Sequence, residues 1–149
     1  MKKIGIAADH AGFELKEYLV GYLTSLGYEV FDFGCYSEEP CDYPDVGHAL
    51  GESIAKGELE RGISICGSGV GINIVVNKHY GVRAALCWEP EIAELCRRHN
   101  NANVLSLPGR FLDNATAEKC VKTFLETEFE GGRHQKRIDK IELKPAACK

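Results

Sequence analysis

A cysteine that closes an apolar run and opens onto glycines at alternate positions, Cys66-Gly67-Ser68-Gly69-Val70-Gly71, is where this sequence is best equipped for chemistry. Glycines spaced this way let backbone N–H groups converge on an anion, with the positive end of the next helix behind them. A thiol at the end of a buried strand, facing that turn, is placed to act as a base or a nucleophile. A free cysteine can equally be a small buried hydrophobe, and the residues alone leave both roles open. The turn is not a Walker loop, since no Gly-Lys-Ser/Thr follows, nor a G-x-G-x-x-G fingerprint, since its third glycine falls one residue early. Glu89 stands about twenty residues on, where a dinucleotide site wants a ribose-binding acid, but it precedes Pro90 and reads better as the start of a helix.

Other groups could serve such a site. Asp9-His10 follows the first apolar run and offers an acid and an imidazole to sugar hydroxyls or a phosphate, unless Asp9 merely caps the next helix. His99-Asn100, inside an asparagine-rich junction, could supply an acid and an amide, or could simply end a helix and turn the chain. Arg110 lies just past the Pro108-Gly109 turn. Arg133 and Arg137 are spaced to share one helix face and could grip a phosphate together; a solvated charged face is the ordinary alternative.

The elements that must position these groups alternate between short apolar runs and longer segments of helical period, the pattern of βαβ units and a parallel sheet covered on both faces. Strands are expected at about 2–8, 28–33, 61–66, 82–87 and 103–107. Helices are expected at about 12–25, stopping at Gly27; 44–57, opened by Pro44 and stopped by Gly57; 70–79; 90–100, opened by Pro90; and 114–126. The class is therefore α/β, a three-layer Rossmann-like sandwich on a five-stranded parallel sheet, with 1–149 as one domain. In such sheets ligands bind beyond the carboxyl ends of the strands. After Gly131-Gly132 a charged segment, Arg133 to Leu143, keeps few apolar anchors; about 130–149 is read as a helical arm reaching a partner subunit, or else as a frayed tail.

A chain of this size can bury roughly 70% of its unfolded surface, so a core needs no staples. The net charge is −4 and no Lys/Arg run exceeds two residues, which argues against a nucleic-acid partner and leaves any anionic ligand to local positive charge. The seven cysteines, at 35, 41, 66, 87, 96, 120 and 148, form no C-x-x-C and point to reduced thiols rather than a secreted disulfide framework. The opening residues are too short an apolar stretch for a signal peptide, and no stretch approaches the roughly 18 apolar residues of a membrane span. A cytoplasmic protein with no membrane partner is expected.

Taken together, Ile4-Gly5-Ile6-Ala7-Ala8-Asp9-His10-Ala11-Gly12-Phe13, Asp42-Tyr43-Pro44-Asp45, Cys66 to Ile72, Asn77-Lys78, Gly81 to Ala85, His99 to Leu105 and Phe129 to His134 resemble ribose-5-phosphate isomerase B. That family also includes allose-6-phosphate and galactose-6-phosphate isomerases. The resemblance implies an aldose–ketose isomerase of the non-oxidative pentose phosphate branch, interconverting ribose 5-phosphate and ribulose 5-phosphate through a cis-enediolate, with no metal or other cofactor. By motif position Cys66 would be the base between C1 and C2, His99 would help open the furanose ring, and Asp9 and Ser68 would handle ring or hydroxyl protons. The backbone of Gly67, Ser68, Gly69, Val70 and Gly71 would hold the enediolate oxygen. Asn100 would bind sugar, while His10, Arg110, Arg133 and Arg137 would face the phosphate. The resemblance also implies a homodimer, or two dimers paired into a tetramer, with sites shared between subunits.

The chemistry agrees: a hydrogen next to a carbonyl is very weakly acidic, so its removal needs a positioned base and preset donors for the oxyanion. Some members carry the base as a glutamate in the loop, but here that neighbourhood holds Ile72, leaving Cys66. Ser68, where threonine is frequent, Asn101, where aspartate is common, and Pro108, where glycine is usual, leave the preferred sugar open. A noncatalytic phosphosugar-binding subunit on the same fold is the competing class, opposed by the intact set of Asp9, Cys66 and His99. A receiver-like module would want clustered acids after the first strand, and only Asp9 stands there.

Overall fold

Short apolar runs with no polar alternation can bury both faces only inside a covered sheet. Three such runs do so, β1 (Lys3–Ala8), β3 (Gly62–Cys66) and β5 (Val104–Pro108), with the half-buried β2 (Glu29–Asp32) and β4 (Ala84–Leu86) at the two edges of the sheet. All pair in parallel in the order β2-β1-β3-β5-β4, so β5 inserts between β3 and β4. The computed structural model describes residues 1–143. The expected α/β sandwich is the architecture found.

The helices are α1 (Phe13–Ser25), entered through a 3-10 turn at His10–Gly12, then α2 (Tyr43–Ala55), α3 (Val70–Val76), α4 (Pro90–Arg98), α5 (Asn114–Glu126) and α6 (Arg133–Ile138). Period-two alternation along the strands feeds two cores. Ile63 and Ile65 pack with Leu19, Leu23 and Phe124 under α1, α4 and α5, whereas Cys66 packs with Leu50, Ile72 and Val76 under α2 and α3. Between them these layers remove side chains such as Leu50, Ile65 and Phe124 wholly from water, each such burial being worth about 1.5–3 kcal/mol.

Two elements fall three residues short of the expected length, for a shared reason. α3 stops at Val76 rather than 79 because Asn77 leaves the helix to bond β4: its Nδ2 donates to the Ala84 carbonyl (3.0 Å) and its Oδ1 accepts from the Ala84 N–H (2.8 Å). β4 covers three residues rather than 82–87, since Arg83 N–H is taken by the Asn103 side chain at 2.7 Å. The arm also differs: α6 has six residues, and only His134 and Ile138 of it are buried.

The cysteines correct one expectation. Cys35 and Cys41 are joined in a disulfide, with Cα atoms 6.5 Å apart, rather than being free thiols. Cys66, Cys87, Cys96 and Cys120 are free and buried, and Cys148 lies outside the described residues. Burial, with Glu89 and Cys96 adding to it, pushes the Cys120 thiol up to about 11, which keeps it a neutral core group.

One buried charge secures the edge that carries the Cys35–Cys41 loop. Lys16 on α1 is fully buried and its Nζ donates to Asp32 Oδ2 at 2.6 Å, while Asp32 Oδ1 accepts from the Gly34 N–H at 2.8 Å. Removing the acid leaves the buried ammonium with only the more distant Glu17, at 3.5 Å. Asp32→Ala is expected to cost about 3 kcal/mol of stability, read from denaturant unfolding.

Candidate active site

In a parallel sheet every strand ends at the same edge, so the turns after strands and the turns before them lie at opposite sides of the molecule. This rule sorts the candidate residues. Asp9, His10, Cys66, Gly67, Ser68, Gly69, Val70, Gly71 and Arg110 follow β1, β3 or β5 at the carboxyl edge. His99 and Asn100 end α4 and precede β5 at the amino edge, where the end of α5 also delivers α6 with Arg133 and Arg137. Register pairs Gly62 with Val104 and Cys66 with Pro108, so the two edges are about 13 Å apart along β3 alone. One chain therefore does not bring Cys66 and His99 together.

The carboxyl-edge group is tightly organised. Asp9 N–H donates to the Ile65 carbonyl (3.1 Å), Gly109 N–H to the Cys66 carbonyl (2.8 Å) and Arg110 N–H to the Gly67 carbonyl (3.0 Å), fastening the three turns to one another. Asp9 is buried, and its Oδ1 accepts from the Ala11 and Gly12 N–H groups, so it does cap the turn that follows. His10 Nδ1 lies against the Cys41 backbone, 3.1 Å from its nitrogen and 3.3 Å from its carbonyl oxygen, so Nε2 is the ring nitrogen that backbone does not engage. Cys66 is 4% exposed. Ser68 is exposed at the rim of the turn, its Oγ accepting from Val70 N–H at 3.2 Å.

One glycine here marks a close contact, and another is required by space. A Cβ on Gly67 would sit 3.2 Å from Arg110 Nη1, so the guanidinium lies against the turn and brings positive charge to it. Gly69 has φ +75°, and a Cβ there would lie 2.5 Å from Leu86 Cδ1 and 3.0 Å from the Leu107 carbonyl carbon. Gly69→Ala is expected to destabilise the fold by about 2 kcal/mol, combining left-handed strain with a clash against backbone, with a lowered unfolding midpoint as the measurement.

At the amino edge, Asn100, Arg133 and Arg137 are exposed and His99 is half-buried. Among the described residues, the Arg133 and Arg137 side chains make no hydrogen bond or ion pair within the chain. A nearby cavity of about 690 Å³, lined by Lys2, Tyr28, Arg61, Arg97 and Lys122 among others, contains none of the candidate residues.

The amino acids that carry this arrangement match a known pattern over nearly the whole chain. The Ribose/Galactose Isomerase family model matches residues 4–141. The chain belongs to that family. Among its relatives, this isomerase-family chain is 45% identical over 141 residues to ribose-5-phosphate isomerase B of Escherichia coli, covering 95% of each. Its fold superposes on a ribose 5-phosphate isomerase from Thermotoga maritima with a TM-score of 0.92 at 52% identity, covering 94% of this chain and 97% of that one. It is also similar to ribose-5-phosphate isomerase B of Mycoplasma genitalium, solved with bound ribulose-5-phosphate, at 43% identity and a TM-score of 0.90 over 93% of each chain.

Sequence reasoning missed Tyr43 as a site neighbour. A Cβ on Gly71 would lie 2.8 Å from the Tyr43 ring, so the aromatic at the start of α2 lies against the glycine turn. Its signal was the Asp42-Tyr43-Pro44-Asp45 run, in which proline fixes the helix start and thereby the tyrosine. Glu130 and His134, beside His99, were likewise noted only as part of a motif.

Proposed function

We propose that two copies of this chain form an aldose–ketose isomerase that interconverts ribose 5-phosphate and ribulose 5-phosphate, each site taking its carboxyl edge from one subunit and its amino edge from the other. The observation that carries this reading is the separation itself: Cys66 with its glycine turn at one edge, and His99, Asn100, Arg133 and Arg137 at the opposite edge. Exposed apolar groups around the carboxyl edge support it. Val70 and Ile74 share a face of α3 at 46% and 55% exposure, and Trp88 and Phe111 are more than half exposed, a surface that a second subunit would cover.

In the reaction, His99 assists opening of the furanose ring. The Cys66 thiolate then takes the proton from C2 of the aldose, the C2–H electrons form the C1–C2 double bond, and negative charge arrives on the carbonyl oxygen. Backbone N–H groups of 67–71 hold that oxyanion, and Ser68 and Asp9 move the hydroxyl protons. The proton on sulfur exchanges in part with water, and delivery of a proton from sulfur to C1 completes the ketose. Asn100 holds sugar hydroxyls, and His10, Arg110, Arg133 and Arg137 neutralise the phosphate. No helix of the described residues is long and apolar enough to cross a membrane. The reading extends to a cytoplasmic location, for which the free thiols of Cys66, Cys87, Cys96 and Cys120 speak and the Cys35–Cys41 disulfide does not.

Turnover on ribose, allose and galactose phosphates in heavy water tests it. Fastest conversion of ribose 5-phosphate, with deuterium entering C1 of the ketose, is the expected result. Faster conversion of a hexose phosphate reassigns the substrate within the family. Binding of these sugars with no turnover favours the noncatalytic subunit, and turnover without deuterium at that carbon removes the enediolate.

A further inference from the structure

His99, Glu130 and His134 meet at the amino edge, and the isomerase scheme uses only the first. The His99 and His134 rings stack with centroids 4.4 Å apart and 16° between their planes. One donor atom from each of the three groups lies within 4.8 Å of the other two. His134 is 5% exposed, and its Nε2 makes no hydrogen bond although Glu130 Oε2 is 3.3 Å away. A buried ring nitrogen left without a partner is unusual and calls for one. Glu130 is held from its other side: Arg98 Nε donates to Oε1 at 3.0 Å, and Glu130 N–H donates to the Arg98 carbonyl at 3.1 Å. That support orients the carboxylate and leaves Oε2 toward His134.

We propose that His99, Glu130 and His134 bind a divalent transition-metal ion of the zinc class, and that occupancy inhibits the isomerase by withdrawing the His99 imidazole from ring opening. Two imidazoles and one carboxylate are a known zinc donor set that leaves a fourth position open. Imidazole nitrogens favour zinc-like ions over magnesium or calcium. Drawing the three donors onto one ion at about 2.0–2.2 Å requires His99 to tilt from the stack and Glu130 to swing inward. Both are partly exposed, whereas buried His134 is the fixed point. Arg98 acts as the outer partner that orients a ligating carboxylate. Arg133 and Arg137 lie on the exposed face of α6 and His134 on its buried face, so cation and phosphate approach from different sides.

The inhibitory part rests on the proposed isomerase; the binding part does not. Two other sets of donors must be set aside by experiment. One is the Cys66 thiol, and the other is the His48–His79 pair, whose Nδ1 and Nε2 already bond each other at 2.8 Å. Co²⁺ is the probe, titrated into the full chain by visible absorption and displaced by Zn²⁺. The expected result is one ion per chain, bands of nitrogen and oxygen ligands without a thiolate charge-transfer band, and affinity unchanged in Cys66→Ala and His79→Asn. Affinity should fall at least about tenfold in His134→Asn and in Glu130→Gln. The exposed Glu130 keeps the test decisive where the buried His134 substitution fails to fold. Zn²⁺ should inhibit turnover of the unmodified protein, and Glu130→Gln should need at least about tenfold more of it. A thiolate band, affinity indifferent to both substitutions, or no binding at millimolar Co²⁺ overturns the site. Binding as expected in a protein that turns over no sugar phosphate would keep the site and sink the isomerase instead.

Discussion

Cys66→Ala is expected to lower turnover on ribose 5-phosphate at least about a hundredfold while the protein stays folded, because a positioned base is worth that much or more. The scale follows from the acid being removed, a carbon-bound hydrogen that water does not abstract at a useful rate. No other base stands in the turn: its neighbours are glycine, serine and valine, and Ile72 follows them. Stability should change little, since the substitution deletes one sulfur from a site lined by Leu50, Ile72 and Val76 without leaving any polar group unpaired. Steady-state kinetics beside a denaturant curve separates the two effects. Near-normal turnover would place the base on another residue, with Asp9, buried in the adjoining turn, the first to examine.

Mixing subunits gives the second large effect. Cys66→Ala homodimers lack the base in both sites, and Arg137→Ala homodimers are expected to lose most phosphate affinity in both. If each site combines edges from two chains, a heterodimer of these variants holds one doubly damaged site and one intact site. Unfolding and refolding an equal mixture should then restore about one quarter of the unmodified activity, since half the dimers are mixed and each has one good site. Were Cys66 and Arg137 to act within one chain, every site would be damaged and mixing would restore nothing. An absence of recovery, with heterodimers demonstrated by mass, sinks the shared arrangement.

Much of this could be seen in the residues before any coordinates. The apolar runs before Asp9, Gly67 and Pro108 announced buried parallel strands, and the rule that ligands lie past strand ends drew attention to Cys66. The same rule held the division of the site, because His99 precedes a strand whereas Cys66 follows one. The order β2-β1-β3-β5-β4 was not legible, since it depends on which distant strands pair, and the buried β1, β3 and β5 are too alike in composition to rank. Nor was the early end of α3, where two hydrogen bonds from Asn77 to Ala84 outweigh further helix. The Cys35–Cys41 link was hidden because composition speaks for the cysteines as a group, while this pair depends on how one loop turns back. Tyr43 was hidden differently: nothing in its type distinguishes a ring pressed on Gly71 from one in the solvent.

The placement of the two half-sites at opposite edges of one sheet carries a consequence for how catalysis scales with protein. A lone subunit, however stable, would own halves of two reactions and the whole of neither. On the shared reading, diluting the enzyme below its dimer dissociation constant extinguishes specific activity while circular dichroism stays constant, so output falls with the square of concentration before any chain unfolds.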